Sequence, residues 1–87
     1  MHEFSLMADL LRKIEGVARE NGNGRVLVVR VRLGALSHIT PEHFAEHFKE
    51  GVRGTQAEDA ELEIVQMTDM EDPEAQEIFL ESVEIAA

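Results

Sequence analysis

The chain has no cysteine and few basic residues, and both features exclude several classes of site and partner. Without cysteine there is no disulfide framework, no thiolate nucleophile and no thiolate metal site, and nothing indicates secretion. The 8 basic against 18 acidic residues give a net charge of −10, which repels phosphate backbones and anionic lipids. We therefore expect neither nucleic acid nor a membrane as a partner, and expect proteins or cations instead.

The beginning of the chain has no long apolar run. Charges at Glu3, Asp9 and Arg12 make it too polar for a signal peptide or a membrane span. We expect one domain over residues 1–87, with a small core and a cytoplasmic location. No constellation of side chains indicates catalysis, so the sequence predicts a protein that is not an enzyme.

A strand followed by a turn and a helix is predicted between residues 26 and 48. Alternating apolar residues predict a strand from Val26 to Leu33. Its core face would consist of Leu27, Val29, Val31 and Leu33. Its outer face would consist of Val26, Val28, Arg30 and Arg32, with the arginines pairing to Glu61, Glu63 or Glu81 on neighbouring strands. Thr40 before Pro41 is typical of a helix N-cap.

The remaining elements follow from periodicity in the same way. The predicted helices run from Ser5 to Glu20 and from Pro41 to about Arg53, and further strands from Ala60 to Met67 and from Glu77 to Ile85. Thr68 to Gln76 is expected to be a loop, and a change of phase in the last strand predicts a β-bulge near Glu81 or Ser82. The predicted fold class is α+β, a two-layer sandwich with two helices on one face of a three-stranded mixed sheet.

The first three residues are the strongest candidate for metal chemistry. Met1 should be retained because His2 is large, and the Met1 amine, the His2 amide and the His2 ring are adjoining nitrogen donors. Glu3 can add an amide or a carboxylate. Such nitrogen donors suit nickel(II) or copper(II), and binding should weaken in acid because the nitrogens must lose protons. The alternative is that His2 is an inert terminal residue.

Three other histidines are weaker candidates. His43 and His47 are four residues apart on the second predicted helix and could face one cation together with Glu46 or Glu50. The alternative interpretation is that both histidines are inert surface residues on a solvated helix face. His38 lies in the turn before this helix, where it could approach the N-terminus or bond only to backbone. The outer sheet face also predicts a weak homodimer through an apolar patch of Val26, Val28, Val65 and Phe79.

With these residues in view, the chain resembles the HypA/HybF family, the nickel metallochaperones of [NiFe]-hydrogenase maturation. The matching segments are Met1-His2-Glu3 with Ser5-Leu6, Val31-Arg32-Leu33-Gly34 through Leu36-Ser37, Thr40-Pro41-Glu42, Phe48, Gly54-Thr55 through Ala57-Glu58, Ala60, Leu62-Glu63-Ile64 and Ser82-Val83-Glu84-Ile85. The resemblance implies a nickel-binding domain in which Met1, His2 and Glu3 hold the ion. It also implies protein partners: a nickel-handling GTPase, hydrogenase maturation factors or the apo-enzyme.

One departure from the family pattern is large. Family members insert a zinc module with two Cys-x-x-Cys pairs between the last two strands, where this chain has only Thr68 to Gln76. We therefore expect nickel but no zinc, and delivery that depends on a zinc module is in doubt. Two functions stay open: a nickel metallochaperone domain, or a metal-free protein-interaction module that kept the fold and the docking surface of the family.

Overall fold

The computed structural model describes residues 2–86, with side chains from residue 7 onward. Its elements in chain order are α1 (His2–Glu20), β1 (Val26–Leu33), α2 (Pro41–Gly51), β2 (Glu61–Gln66) and β3 (Ile78–Ile85). The predicted order of helix, strand, helix, strand, strand is therefore confirmed. Neither α1 nor any other described helix is long and apolar enough to cross a membrane.

The three strands form one mixed sheet with β1 in the centre, in the spatial order β2-β1-β3. Strand β1 is parallel to β2, reached through α2, and antiparallel to β3. The central position of β1 explains why its pattern was the clearest in the sequence, since a strand with two neighbours and a helical layer above it buries the side chains of one face. The α+β class with a mixed sheet is confirmed.

The core lies between the sheet and the two helices. Helix α1 contributes Met7, Leu10, Ile14 and Ala18, whereas β1 contributes Val26, Val29, Val31 and Leu33, and the α2 region contributes Ile39, Phe44, Phe48, Val52 and Ala57. Phe44 is the largest fully buried side chain and stacks on Phe48 with ring centroids 6.2 Å apart. Each large apolar side chain buried here contributes on the order of 2 kcal/mol of transfer free energy.

Two β-bulges interrupt the pairing of β1 with β3. In the first, Arg30 pairs with Ser82 and Val31 pairs with Leu80, so Glu81 is the extra residue. This confirms the bulge predicted near Glu81 or Ser82 and explains how residues on both sides of it reach the core.

The second bulge was not predicted. Val26 pairs with Ile85 and Val28 pairs with Glu84, which leaves Leu27 as an extra residue in β1. The phase of the strand therefore changes, so that Val26 is 1% exposed and Leu27 is 41% exposed. The prediction that Leu27 faces the core and Val26 faces outward is wrong, because one added residue moves the side chains before it to the other face.

Helix α2 begins as its sequence predicts. The hydroxyl of Thr40 accepts a hydrogen bond of 3.1 Å from the backbone N–H of His43, and Pro41 occupies the first turn, where no amide donor is needed. Ile39, just before the cap, is buried together with Phe44 and so fixes the direction from which the chain enters the helix.

Both helix boundaries differ from the predicted ones. Helix α1 begins at His2, so Ser5 lies inside it and is not its cap. Helix α2 ends at Gly51, two residues before the predicted Arg53, and Val52 is its C-cap. Gly51 permits close packing of the helices, since a Cβ at this position would lie 2.6 Å from Cδ1 of Leu11.

The outer face of the sheet carries the predicted ion pairs. Arg30 bonds to Glu63 at 2.7 Å and to the Ser82 hydroxyl at 2.9 Å, and Arg32 lies 3.3 Å from Glu81. These side chains are more than a third exposed, so each pair contributes at most about 1 kcal/mol. Arg30 and Arg32 are thus cross-strand partners, as expected.

The apolar patch predicted on this face is smaller than expected. Val26 is buried in the core and cannot belong to it, whereas Val65 is 48% exposed and Val28 and Phe79 are partly exposed. The weak homodimer that this patch predicts stays a prediction.

The connection from β2 to β3 is bound to the end of β1. The N–H groups of Gly34 and Leu36 donate to the carbonyls of Glu77 and Ala75, and the N–H of Met67 donates to the carbonyl of Leu33. Gly34 has no room for a side chain, because a Cβ would overlap the backbone of Ala75 and lie 2.8 Å from the Glu77 oxygen. Glycine is therefore required here by close backbone approach.

Replacing the helix cap should weaken the fold. Thr40→Ala removes the hydroxyl that accepts from His43, and we expect it to lower the free energy of unfolding by about 1 kcal/mol in urea titrations. Thr68→Ala is the matched control, because Thr68 is exposed in the β2–β3 connection. Equal stability of the two variants would contradict a capping role for Thr40.

Two glycine substitutions should have opposite effects. In α1 a Cβ at Gly16 would meet nothing within 4 Å, so Gly16→Ala should raise the free energy of unfolding by about 0.5–1 kcal/mol through helix propensity. Gly34→Ala should lower it by about 1–3 kcal/mol, because backbone must move to admit the methyl group. Denaturant unfolding of both variants tests this. A Gly34→Ala variant as stable as the parent would show that the backbone of the β2–β3 connection can move at little cost in free energy.

Candidate metal centre

The predicted chelate lies at the start of α1. Met1 lies outside the described residues, as do the side chains of His2 and Glu3, so the ligand geometry of this site stays a prediction. The described backbone places His2 and Glu3 in the first turn of a helix. Amides of the first turn have no acceptor within the helix, so these nitrogens need not break a helical hydrogen bond to bind an ion.

Helix α1 is held firmly against the body of the protein beyond this turn. Among the described side chains, burial along α1 begins at Met7 and continues through Leu10, Ile14 and Ala18. These residues recur at helical spacing and pack on the sheet. The start of α1 is thus attached to a fixed element, one turn or two away from the first buried side chain.

The topology brings the beginnings of both helices to the same end of the molecule. Helix α2 connects two parallel strands and must run opposite to them. Helix α1 precedes β1 by a short turn and covers the same sheet, so it also runs opposite to β1. The contacts agree, since Leu11 packs on Gly51 and a small cavity further along is lined by Ala18 and Ala57. The predicted N-terminal chelate therefore lies toward the end where α2 begins.

His43 and His47 are in direct contact on α2. Their Nε2 atoms are 2.9 Å apart, and the ring centroids are 4.5 Å apart with the planes inclined by 45°. The opposite side of the helix is fixed by buried Phe44 and Phe48, which orients this pair outward: His43 is exposed and His47 is half-buried. The two rings therefore lie side by side, as a spacing of four residues on one helix predicts, and their binding of a shared cation stays a prediction.

The carboxylates proposed beside these histidines do not complete a cluster. Glu50 bonds to Arg53 at 2.8 Å, and Glu46 is exposed. Among the side chains from residue 7 to residue 86, no group of three or more His, Cys, Asp or Glu is arranged to hold a metal ion. The pair therefore supplies two ligands from the described part of the chain.

His38 adopts a backbone conformation that the sequence did not indicate. It lies in the turn between β1 and α2 with φ of 63°, in the left-handed region that few residues other than glycine and asparagine adopt. Its side chain is exposed at the end of the molecule where the helices begin. No described contact links it to the other histidines.

The acidic connection between β2 and β3 uses its carboxylates locally. Asp69 accepts a hydrogen bond of 2.9 Å from the N–H of Glu71, and Asp72 accepts one of 2.8 Å from the N–H of Glu74. Both are turns in which an aspartate side chain bonds to the backbone two residues on. These aspartates therefore stabilise the turns of the connection.

A comparison with protein families identifies the class to which this fold and N-terminus belong. The HypA family model, described as hydrogenase/urease nickel incorporation, metallochaperone, matches residues 1–71. The match includes the predicted chelate, both helices and β2, and it ends within the β2–β3 connection. The chain belongs to the HypA family.

Curated relatives support the same assignment. The chain is 42% identical over 64 residues to the hydrogenase maturation factor HypA of Methylocella silvestris, and 44% identical over 64 residues to that of Moorella thermoacetica; each match covers 74% of this chain and 57% of the relative. The HypA of Aquifex aeolicus is 45% identical over 62 residues, which are 71% of this chain and 54% of that protein. The chain thus matches little more than half the length of these relatives.

Solved structures confirm the fold. The solution structure of the nickel metallochaperone HypA from Helicobacter pylori superposes with a TM-score of 0.79 at 21% identity, covering 98% of this chain and 97% of that one. A second solution structure of a HypA protein gives a TM-score of 0.74 at 22% identity, covering 99% and 97%. At this identity the likeness concerns the arrangement of helices and strands.

Metal removal should leave the fold intact. The packing of α1 and α2 on the sheet is apolar, so we expect protein purified without added metal to keep its melting temperature in strong chelator. Circular dichroism melts with and without chelator test this. A lower melting temperature in chelator would show that a bound ion stabilises the core.

Proposed function

We propose that this protein is a nickel metallochaperone that holds nickel(II) at its N-terminus and passes it on during maturation of a hydrogenase or another nickel enzyme. The Met1 amine, the His2 amide nitrogen and the His2 ring bind the ion, and Glu3 completes or tunes the ligand set. The observation that carries the proposal is the family match over residues 1–71, which includes these three residues.

The chemistry of the donors agrees with nickel as cargo. An amine, an amide nitrogen and an imidazole in adjoining positions offer nitrogen ligands in one plane, which nickel(II) and copper(II) accept more readily than magnesium or calcium. The helix begins at His2, so the amides of the first turn are not committed to helical hydrogen bonds. The positive end of the helix dipole also favours an ionised amide nitrogen and the Glu3 carboxylate there.

The charge of the protein suits a cation carrier. A net charge of −10 raises the local concentration of cations around the protein and disfavours nucleic acid. The absence of cysteine leaves no thiolate ligands in this chain, so we expect no zinc of the kind held by paired cysteines. Transfer of cargo by ligand exchange requires no catalytic residues, and we infer that the protein is not an enzyme.

The partners that this function requires are proteins that supply or receive nickel. A nickel-handling GTPase, other hydrogenase maturation factors and an apo-enzyme are the expected classes, and they would meet the end of the molecule at which both helices begin. The alternative function is a metal-free interaction module that kept the fold and its docking surface. Nickel titration separates these two functions.

Removing either part of the chelate should abolish tight nickel binding. We expect this of His2→Ala, which lacks the ring, and of a variant with one residue added before Met1, which converts the amine into an amide. The measurement is calorimetric titration of untagged protein with nickel(II), with His38→Asn as the control that keeps binding. Binding by the parent should also weaken in acid, because protons compete for the same nitrogens.

One pattern of results would overturn the assignment to the N-terminus. The proposal fails if His2→Ala and the extended variant both bind nickel like the parent while a His43→Ala, His47→Ala variant does not. Circular dichroism should show unchanged helix content in each variant, since His2 is terminal and neither His43 nor His47 belongs to the buried core. Absence of binding by the parent itself would favour the interaction module.

A further inference from the structure

We infer that His43 and His47 form a second transition-metal site on α2, distinct in its ligands from the N-terminal chelate. The site binds a single divalent ion such as nickel(II) between the two Nε2 atoms. This inference does not depend on the proposed function, because its ligands come from other residues. It concerns an exchangeable ion, to which the described part of the chain contributes these two ligands.

The separation of the two nitrogen atoms fits a shared ion. Two nitrogen ligands about 2.0–2.1 Å from a metal lie about 2.9 Å apart when they subtend a right angle, and about 3.4 Å apart at the tetrahedral angle. The observed Nε2–Nε2 distance is 2.9 Å. This is the spacing of neighbouring ligands in the square-planar or octahedral sites that nickel(II) and copper(II) prefer.

The backbone already holds the rings in position. Residues four apart on a helix are neighbours on its surface, so the pair requires no folding step to assemble. The Thr40 cap fixes the first turn, to which His43 belongs, and Phe44 and Phe48 fix the buried side of the helix. For an ion to bind, the proton shared by the two Nε2 atoms must be released, and both rings must turn so that their lone pairs point at the ion.

The surroundings admit an ion from solvent. His43 is exposed and His47 is half-buried, and exposed Glu42 and Glu46 on the same helix add negative charge. Lys49 is the basic residue in the last turn, and the acidic protein as a whole attracts cations. An ion bound at this exposed surface is in contact with solvent, which favours its exchange.

The experiment uses the His2→Ala background, so that the N-terminal chelate does not contribute. In untagged His2→Ala protein we expect one nickel(II) ion to bind. Further replacement of either His43 or His47 by alanine should weaken this binding on the order of 100-fold, because a single remaining ring cannot chelate the ion. His38→Asn in the same background is the matched control, since asparagine tolerates the positive φ at that turn. Its binding should be unchanged.

A second measurement keeps the test independent of stability. In the His2→Ala protein, substoichiometric nickel(II) should broaden the ring-proton NMR signals of His43 and His47 together, while those of His38 stay sharp. The inference is wrong if only one ring responds, or if His43→Ala and His47→Ala bind nickel like their background. Those results would mean that the pair is only a hydrogen-bonded contact. We expect this second site to bind nickel more weakly than the N-terminal chelate. Binding by His2→Ala as tight as that of the parent would therefore count against the N-terminal assignment, so the two proposals fail separately.

Discussion

The position of β1 at the centre of the sheet is the constraint on which the rest of this structure depends. Its four buried side chains, Val26, Val29, Val31 and Leu33, face the helical layer, and both of its edges are paired. Because β1 is parallel to β2, the chain must cross the sheet through α2, and that crossover sets the direction of the helix. The start of α1 and the histidine pair on α2 take their positions from this arrangement.

Much of the fold could be predicted because strong local signals agreed with one another. The cap at Thr40, the buried Phe44 and Phe48 and the change of phase in β3 each had one plausible structural meaning. The bulge at Leu27 could not be predicted, because Leu27 is apolar and fits an uninterrupted alternation as well as a broken one. Only the pairing with β3, a long-range interaction, shows that the residue is extra.

The candidate site was predictable in part, and for chemical reasons. The order of donors in Met1-His2-Glu3 is a property of the covalent chain, so the sequence alone can suggest a chelate there. The histidine pair on α2 was visible as a spacing, but a spacing does not say whether two rings meet or turn apart. The 2.9 Å contact between their nitrogen atoms adds that information. The left-handed conformation of His38 could not be predicted, because the residue is neither glycine nor asparagine.

The backbone hydrogen bonds of Gly34, Leu36 and Met67 place the β2–β3 connection at the end of β1. Strands β2 and β3 lie on opposite sides of β1, so the segment that joins them must pass over that end whatever its length. Lengthening such a loop costs little, since each doubling adds only about 0.6 kcal/mol of closure entropy. A module can thus be gained or lost at this point without redesign of the core. Any inserted module would lie at the end of the molecule where both helices begin.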